Sequence, residues 1–253
     1  MNFSGIPGQT LAGRLLRYPL KFIPRQMRMP ILQGRLRGKK WIAGSSTHGC
    51  WLGSYEYDQR LLFERLVTEG SVVFDVGAHV GFYTLLAATL VGPRGRVYSF
   101  EPALANIHFL KAHLRLNRIT NVTVIEKAVS DREGTARFVE GPSSAMGHFA
   151  EQGGVAAPTV SMDDLFLRGE VPAPDFIKID VESAEWLALK GAEHLLRRTR
   201  PTIFLSTDIY DLHHRCCKFL ESLGYQLHPI GDRSLDQAEE ILAYRQAPPG
   251  FEI

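Results

Sequence analysis

The sequence predicts an α/β fold, a doubly wound and mostly parallel sheet with helices on both faces, preceded by a basic N-terminal arm. Three observations predict it. Short apolar runs rich in β-branched residues alternate with longer helical segments from Val72 onward. Those runs are almost continuously apolar, as strands covered on both faces are. Several end in a carboxylate and a turn, which puts acids at the edge where open parallel sheets take ligands.

The elements follow in order. Residues 1 to about 50 read as an irregular arm with short helical pieces, because Pro19, Pro24 and Pro30 break any long amphipathic helix. A helix is expected from Tyr55, with Tyr55, Leu62, Phe63, Leu66 and Val67 on one face and Arg60, Glu64 and Arg65 opposite, stopped by Gly70. "SVVFDV" is the first strand of the alternating region. "FYTLLAATLV" is apolar all round, as suits a helix buried against a sheet, and "GPRG" is a turn. "RVYSFE" is a second strand ending in Glu101, followed by a helix with Leu104, Ile107, Leu110 and Leu114 at helical spacing. "NVTVIEKAV" is a third strand, and "TARFVE" an edge hairpin after "SDREG". Residues 141–158, rich in Gly, Ser, Ala and Pro, read as a mobile loop. "VSMDDL" offers Asp163 or Asp164 as a helix cap. "DFIKIDVE" is a fourth strand, with a helix from about Ser183 to Arg198, and "PTIFLSTD" a fifth. A helix from Asp211 to Leu223 carries Leu212, Cys216, Phe219, Leu220 and Leu223 on one stripe and stops at Gly224. "YQLHPI" and "EILAYRQ" close the sheet.

Composition narrows the function classes. The 253 residues are 45% hydrophobic and 22% charged, ordinary for a folded protein. Cys50, Cys216 and Cys217 have no CxxC spacing, so neither a disulfide framework nor a zinc site is expected, and a reducing cytoplasmic location is. There is no run of eighteen apolar residues and no signal-type apolar core. The net charge of +2 hides an asymmetry: residues 1–55 hold nine Lys or Arg and no acid, leaving the arm at +9 and the rest at −7. Such an arm favours phosphate-bearing partners or an anionic membrane surface, or packs along the acidic body. It lacks interleaved aromatics, so nucleic acid is not expected.

The turn "DVGAHVG" carries the chemistry. Gly77 and Gly81 let the backbone bend and approach a ligand, at the N-terminus of the helix that follows. Phe82 fills the slot where a dinucleotide fingerprint has its last glycine, which argues against an NAD-dependent oxidoreductase. Asp75 suits a cationic ligand better than a pyrophosphate. Glu101, twenty residues beyond Gly81, stands where a carboxylate takes ribose hydroxyls. Together they point to S-adenosylmethionine. His79 reads as a polar turn residue beside that cofactor.

At these residues the chain resembles the FkbM-type methyltransferases. The resemblance runs from about Trp51 to Asp208 and rests on "GSYE", "FDVGAHVGFYTLLAA", "GRVYSFEP", "LRLNRITNVTVIEKAVSD", "VSMDDL" and "DFIKIDVESAEWLALKGAEHLL". It implies the class I methyltransferase (Rossmann-like) sheet of seven strands with the last antiparallel, and methyl transfer from S-adenosylmethionine, usually to oxygen; the charge and element patterns themselves set an arm at 1–54 before a domain at 55–253. The acceptor would be a small molecule, a glycan or a glycolipid. By the same resemblance Asp75, Gly77 and Gly81 lie around the methionine moiety, Glu101 at the ribose, and Ala128 and Val129 beside the adenine. Asp180, Glu182 and Glu185 match an acidic run facing the reaction centre. His79 stands where the family has Asn, and Ser183 where it has Gly. Ser206 and Asp208 replace a frequent Glu-x-His pair. Asp180, Glu182, Glu185 and Asp208 are the candidate catalytic acids, Asp180 first as base or acceptor orienter. His213 and His214 are alternatives, each expected on an exposed helix face. A catalytically inactive binding module on the same sheet is the remaining alternative.

Overall fold

The structure is a computed structural model, and it describes residues 18–139, 148–149, 155–207 and 209–251. Its centre is a seven-stranded sheet. The strands are β1 (Val72–Val76), β2 (Arg96–Phe100), β3 (Val122–Ile125), β4 (Phe176–Ile179), β5 (Thr202–Ser206), β6 (Gln226–Pro229) and β7 (Glu240–Tyr244). They lie in the order β3-β2-β1-β4-β5-β7-β6, and β7 runs antiparallel to both its neighbours. The order reverses between β1 and β4, so the crevice beyond their carboxyl ends is the expected ligand position.

Two apolar layers hold the sheet. Phe74, Val76, Ile177 and Ile179 face helices Glu185–Lys190, Glu193–Thr199 and Tyr210–Ser222. Val73, Val97, Phe204 and Leu242 face helices Phe82–Val91 and Tyr57–Leu66. Neighbours along a strand point to opposite faces, so both faces must be apolar for either layer to be dry.

The second layer takes in the chain before the helix. Ile31, Leu36 and Trp41 are buried in it, and Arg28–Pro30 pairs antiparallel with Lys40–Ile42. Residues 28–54, expected as an irregular arm, are thus a hairpin and a short helix (His48–Leu52) seated in the core. The seat is helix Leu104–Leu116. Trp41 stacks on His113 with ring centres 3.8 Å apart. The His113 ring donates from Nδ1 to the Val80 carbonyl (2.8 Å) and accepts the Ile42 amide at Nε2 (3.1 Å). One neutral tautomer serves the hairpin and the glycine turn together.

A pH dependence follows. Burial lowers the His113 pKa from 6.5 to about 4, against the opposing pull of the Val80 carbonyl. The unfolded chain therefore takes up a proton that the folded chain refuses. The stability contribution is complete above the ordinary histidine value and is lost as pH falls toward about 4. Linkage puts the loss at up to about 3 kcal/mol. His79, lowered to about 4 chiefly by burial, titrates in the same window. Denaturant unfolding across that range is expected to show falling stability with acid, and His113→Gln to flatten the slope by about half. An unchanged slope would remove His113 from this role.

Elsewhere the structure differs from the periodicity. Arg60 is 3% exposed and paired with Glu64 at 2.5 Å, while Leu61 is exposed. Leu104 is 76% exposed, because the helix turns its Ile107, Leu110 and Leu114 side inward instead. The third apolar segment splits after Ile125. Ala128–Val129 joins a second, four-stranded sheet with Val155–Val160, Gly134–Val139 and His148–Phe149. Residues 155–158, expected within a mobile loop, are therefore strand, and 141–147 and 150–154 lie outside the described residues. The expected helix from Ser183 to Arg198 breaks at Gly191, where an added Cβ would stand 2.0 Å from the Ser130 carbonyl oxygen. Asp163 caps the second piece, accepting the His194 and Leu195 amides, while Ser161 caps Asp163's own helix. Among the described residues no helix is long and apolar enough to cross a membrane.

Candidate active site

The turn after β1 is pinned from two sides. The Gly77 and Ala78 amides both donate to the Phe100 carbonyl at the end of β2 (3.0 and 2.9 Å). On the other side the turn presses on the end of β4: a Cβ at Gly77, whose φ is 84°, would lie 1.8 Å from the Asp180 carbonyl oxygen. Gly81 (φ 91°) begins helix Phe82–Val91 against Leu110. His79 sits between them at φ 49°, in the left-handed region where Asn, Asp and His are the non-glycine residues most often found.

Glu101 locks this turn. Its Oε2 accepts the His79 amide (2.8 Å), and its Oε1 accepts the Ala103 amide (2.9 Å) and the Asn106 side chain (3.2 Å). Three of roughly four acceptor positions on a carboxylate are filled. Burial raises its pKa, and the three hydrogen bonds pull it back.

Behind the turn lies a charge cluster. Asp75 is 1% exposed; its Oδ2 accepts the Thr84 hydroxyl (2.5 Å), and its Oδ1 is buried without a hydrogen-bond partner among the described residues. Opposite it in the parallel register stands Lys178, 3% exposed, which sequence reasoning did not single out. Its Nζ donates to Asp180 Oδ2 (2.9 Å) and lies 4.5 Å from the centre of the Tyr83 ring. Burial alone would lower the Lys178 pKa, but Asp180, Glu56 and Asp75 outweigh it and hold the pKa above the ordinary lysine range. Glu56 and Glu240 were missed as well. Burial raises both, Lys178 opposes it, and Glu240 reaches about 7. Three acids, Asp180, Glu56 and Asp75, thus act on one ammonium, and the same lysine opposes the rise at Glu240. A lone lysine inside the apolar run "FIKI" was the available signal for it.

The predicted residues divide. The structure brings Asp75, Gly77, His79 and Asp180 to one hollow of about 30 Å³, with Tyr55 and Lys178 in its wall. Gly81 and Glu101 frame the same turn. A hollow of that size has room for a water-sized group. Glu182 and Ser183 follow at φ 49° and 73°, the second at the position where the resembling sequences have Gly. Glu185 turns in on this bend, its Oε1 accepting the Val181 and Ser183 amides (3.3 and 3.2 Å), and burial raises its pKa to about 7. Ala128 and Val129 are buried, opposite Thr159 and Val160 in the second sheet. Asp208 lies outside the described residues. His213 is not on an exposed face. It is buried, bonded to the Thr207 hydroxyl (2.7 Å) and the Leu235 carbonyl (2.8 Å), and so anchors its helix. No group of residues able to hold a metal ion occurs among those described.

This strand order, with an antiparallel seventh strand, a glycine turn after β1 and an acid closing β2, is the class I methyltransferase fold. The chain belongs to the methyltransferase FkbM domain family, whose profile matches residues 75–227. It is similar to the hexuronic acid methyltransferase AglP of Haloferax volcanii, 30% identical over 141 residues that cover 54% of this chain and 56% of that protein. It is also similar to the 31-O-demethyl-FK506 methyltransferase FkbM of Streptomyces tacrolimicus, 28% identical over 158 residues covering 49% and 60% respectively. The chain thus spans little more than half the length of these relatives. A solved structure of methyltransferase FkbM from Methylobacillus flagellatus superposes with a TM-score of 0.49 at 20% identity, over 69% of this chain and 43% of that one.

Proposed function

We propose that the chain is an S-adenosylmethionine-dependent O-methyltransferase acting on a hydroxyl of a glycan, glycolipid or secondary metabolite. The observation that carries this reading is the set of acids Asp75, Asp180 and Glu56 around Lys178 at the sheet's switch point, beside a turn with no room for a side chain at Gly77. An excess of buried carboxylate favours a cation and disfavours a pyrophosphate, which also weighs against a nicotinamide dinucleotide. When bound, S-adenosylmethionine supplies a methyl group activated by its sulfonium. Asp75, Gly77, His79 and Gly81 hold the charged end of that donor, and Glu101 has an acceptor position left for a ribose hydroxyl. Ala128 and Val129 back the adenine.

Asp180, fixed by Lys178, accepts the hydrogen bond of the acceptor hydroxyl and orients it. Asp180, which lines the hollow, is also the group placed to take the released proton. Glu182 and Asp208 are further candidate acids by their place in the sequence, and Glu185 is a brace. The family membership and the name of the hexuronic acid relative support a sugar acceptor. A cytoplasmic protein working peripherally at an anionic membrane, through the basic N-terminal segment, fits the same reading.

Incubation with methyl-labelled donor and a panel of sugars, including glucuronate, tests it, with calorimetry for donor affinity. Transfer to a hydroxyl is expected. Asp180→Asn should lower kcat by about a hundredfold with little change in donor affinity. Glu101→Ala should weaken donor binding by about tenfold or more. Absence of both transfer and donor binding would end the reading; donor binding without transfer to any acceptor would favour an inactive module.

A further inference from the structure

A second cavity stands apart from the acid cluster. It is a cleft of about 1210 Å³ between the N-terminal segment and the outer face of helix Leu104–Leu116. The helix contributes Ala105, His108, Phe109, Ala112 and Arg115, a stripe at three- and four-residue spacing. From position 105 to 116 it extends about 16 Å. The facing wall includes Arg25 and Arg28, held in place by the hairpin: the Gly44 amide donates to the Arg25 carbonyl (2.7 Å), and Arg28 pairs in register with Ile42.

The charge of this cleft is one-sided. Arg25, Arg28 and Arg115 all line it, and among the described residues no carboxylate does. None of the three forms a salt bridge among the described residues, although the chain beyond residue 55 carries a net −7. Elsewhere arginines such as Arg60, Arg168 and Arg233 are paired with acids. Guanidinium groups left unpaired along a concave wall match the forked oxygens of phosphate or carboxylate.

The cleft reaches the proposed active site by a short route. Asn106 lines it and also donates to Glu101 Oε1 (3.2 Å). Ser46 and Thr47 line it too, one turn before Cys50, which borders the hollow at the acid cluster. An elongated ligand lying along the helix would thus end beside the glycine turn.

We propose that this cleft binds an anionic glycan, its charge carried as phosphate or carboxylate, and that Arg25, Arg28 and Arg115 select it as the methyl acceptor. The assignment rests on the methyltransferase reading for the word acceptor, but not for the binding site. The acid cluster repels anions while the arginines attract them, so the charged group is held along the helix and a neutral hydroxyl is presented at the turn.

The test uses the full chain and the triple variant Arg25→Gln, Arg28→Gln, Arg115→Gln. Glucose 1-phosphate, glucuronate and glucose are titrated at low and high salt, alongside S-adenosylmethionine. The chain is expected to bind the two anionic sugars but not glucose, more weakly as salt rises. Of the two, the tighter binder identifies the charged group. The triple variant should bind both at least about tenfold more weakly, with donor affinity and melting temperature unchanged. Equal binding of glucose and its phosphate, or anion binding unaffected by the three substitutions, would overturn the proposal. Arginine-dependent binding to vesicles of phosphatidylglycerol and phosphatidylcholine in equal parts, without binding of either sugar anion, would overturn it in favour of a membrane surface. Loss of donor binding by the unsubstituted chain, with sugar anions still bound through the arginines, would defeat the methyltransferase reading and leave the cleft's assignment standing.

Discussion

Lys178→Met is expected to destabilise the chain by about 3–5 kcal/mol, the usual cost of removing one partner from a buried charge pair. Lys178 is 3% exposed and is the cation that opposes burial at Glu56, Asp75 and Glu240. Methionine matches its length without its charge, so the loss is electrostatic rather than a cavity. The sign of the pH dependence identifies it. Burial already raises Glu56 and Asp75, and without Lys178 they rise further. Above the ordinary carboxylate range the variant must bury uncompensated charge or bind protons that the unfolded chain does not bind. As pH falls toward that range the unfolded chain takes up the same protons, and the deficit shrinks. Denaturant unfolding at about pH 8 and about pH 5 reads this directly. Equal deficits at the two values would show that the lysine acts by packing alone.

Gly77→Ala is expected to abolish donor binding and lower stability by about 3 kcal/mol or more. Two costs add. The backbone at φ 84° is left-handed, which costs an L-residue about 1–2 kcal/mol. The new methyl would lie 1.8 Å from the Asp180 carbonyl oxygen and 2.7 Å from its carbon, both backbone atoms that no rotamer change can move. The turn or the end of β4 must shift, at a typical overpacking cost of about 1–3 kcal/mol. Either shift separates the turn from Asp180. A thermal melt and a calorimetric titration with S-adenosylmethionine check both halves. A variant that melts and binds like the original chain would remove the close approach of turn and strand from the account.

Much of the site was legible because its parts are local. The run from Asp75 to Gly81 is a strand end, a turn and a helix start within seven residues, and each residue type states its own backbone need. Glu101 was legible for the same reason, as the acid closing the next strand. The acids at 180, 182 and 185 were legible as a group but not as individuals. Whether such a side chain meets a ligand or turns back on its own amides depends on the φ of its neighbours, and Glu182 and Ser183 are both left-handed. Glu185 turned inward there.

The amino-acid sequence by itself determined the order of the central strands and the main helices between them, the glycine turn and the acids at the strand ends, since periodicity and turn chemistry act over a few residues. Only the tertiary structure decided which charges meet. Glu56, Lys178 and Glu240 come from three distant segments, and their shifted ionisation exists only once β4 and β7 carry their side chains into reach of the Tyr57–Leu66 helix start. Arg60 went inside and Leu104 outside for the same reason. A side chain's surroundings are set by the element packed across from it, and no local pattern names that element.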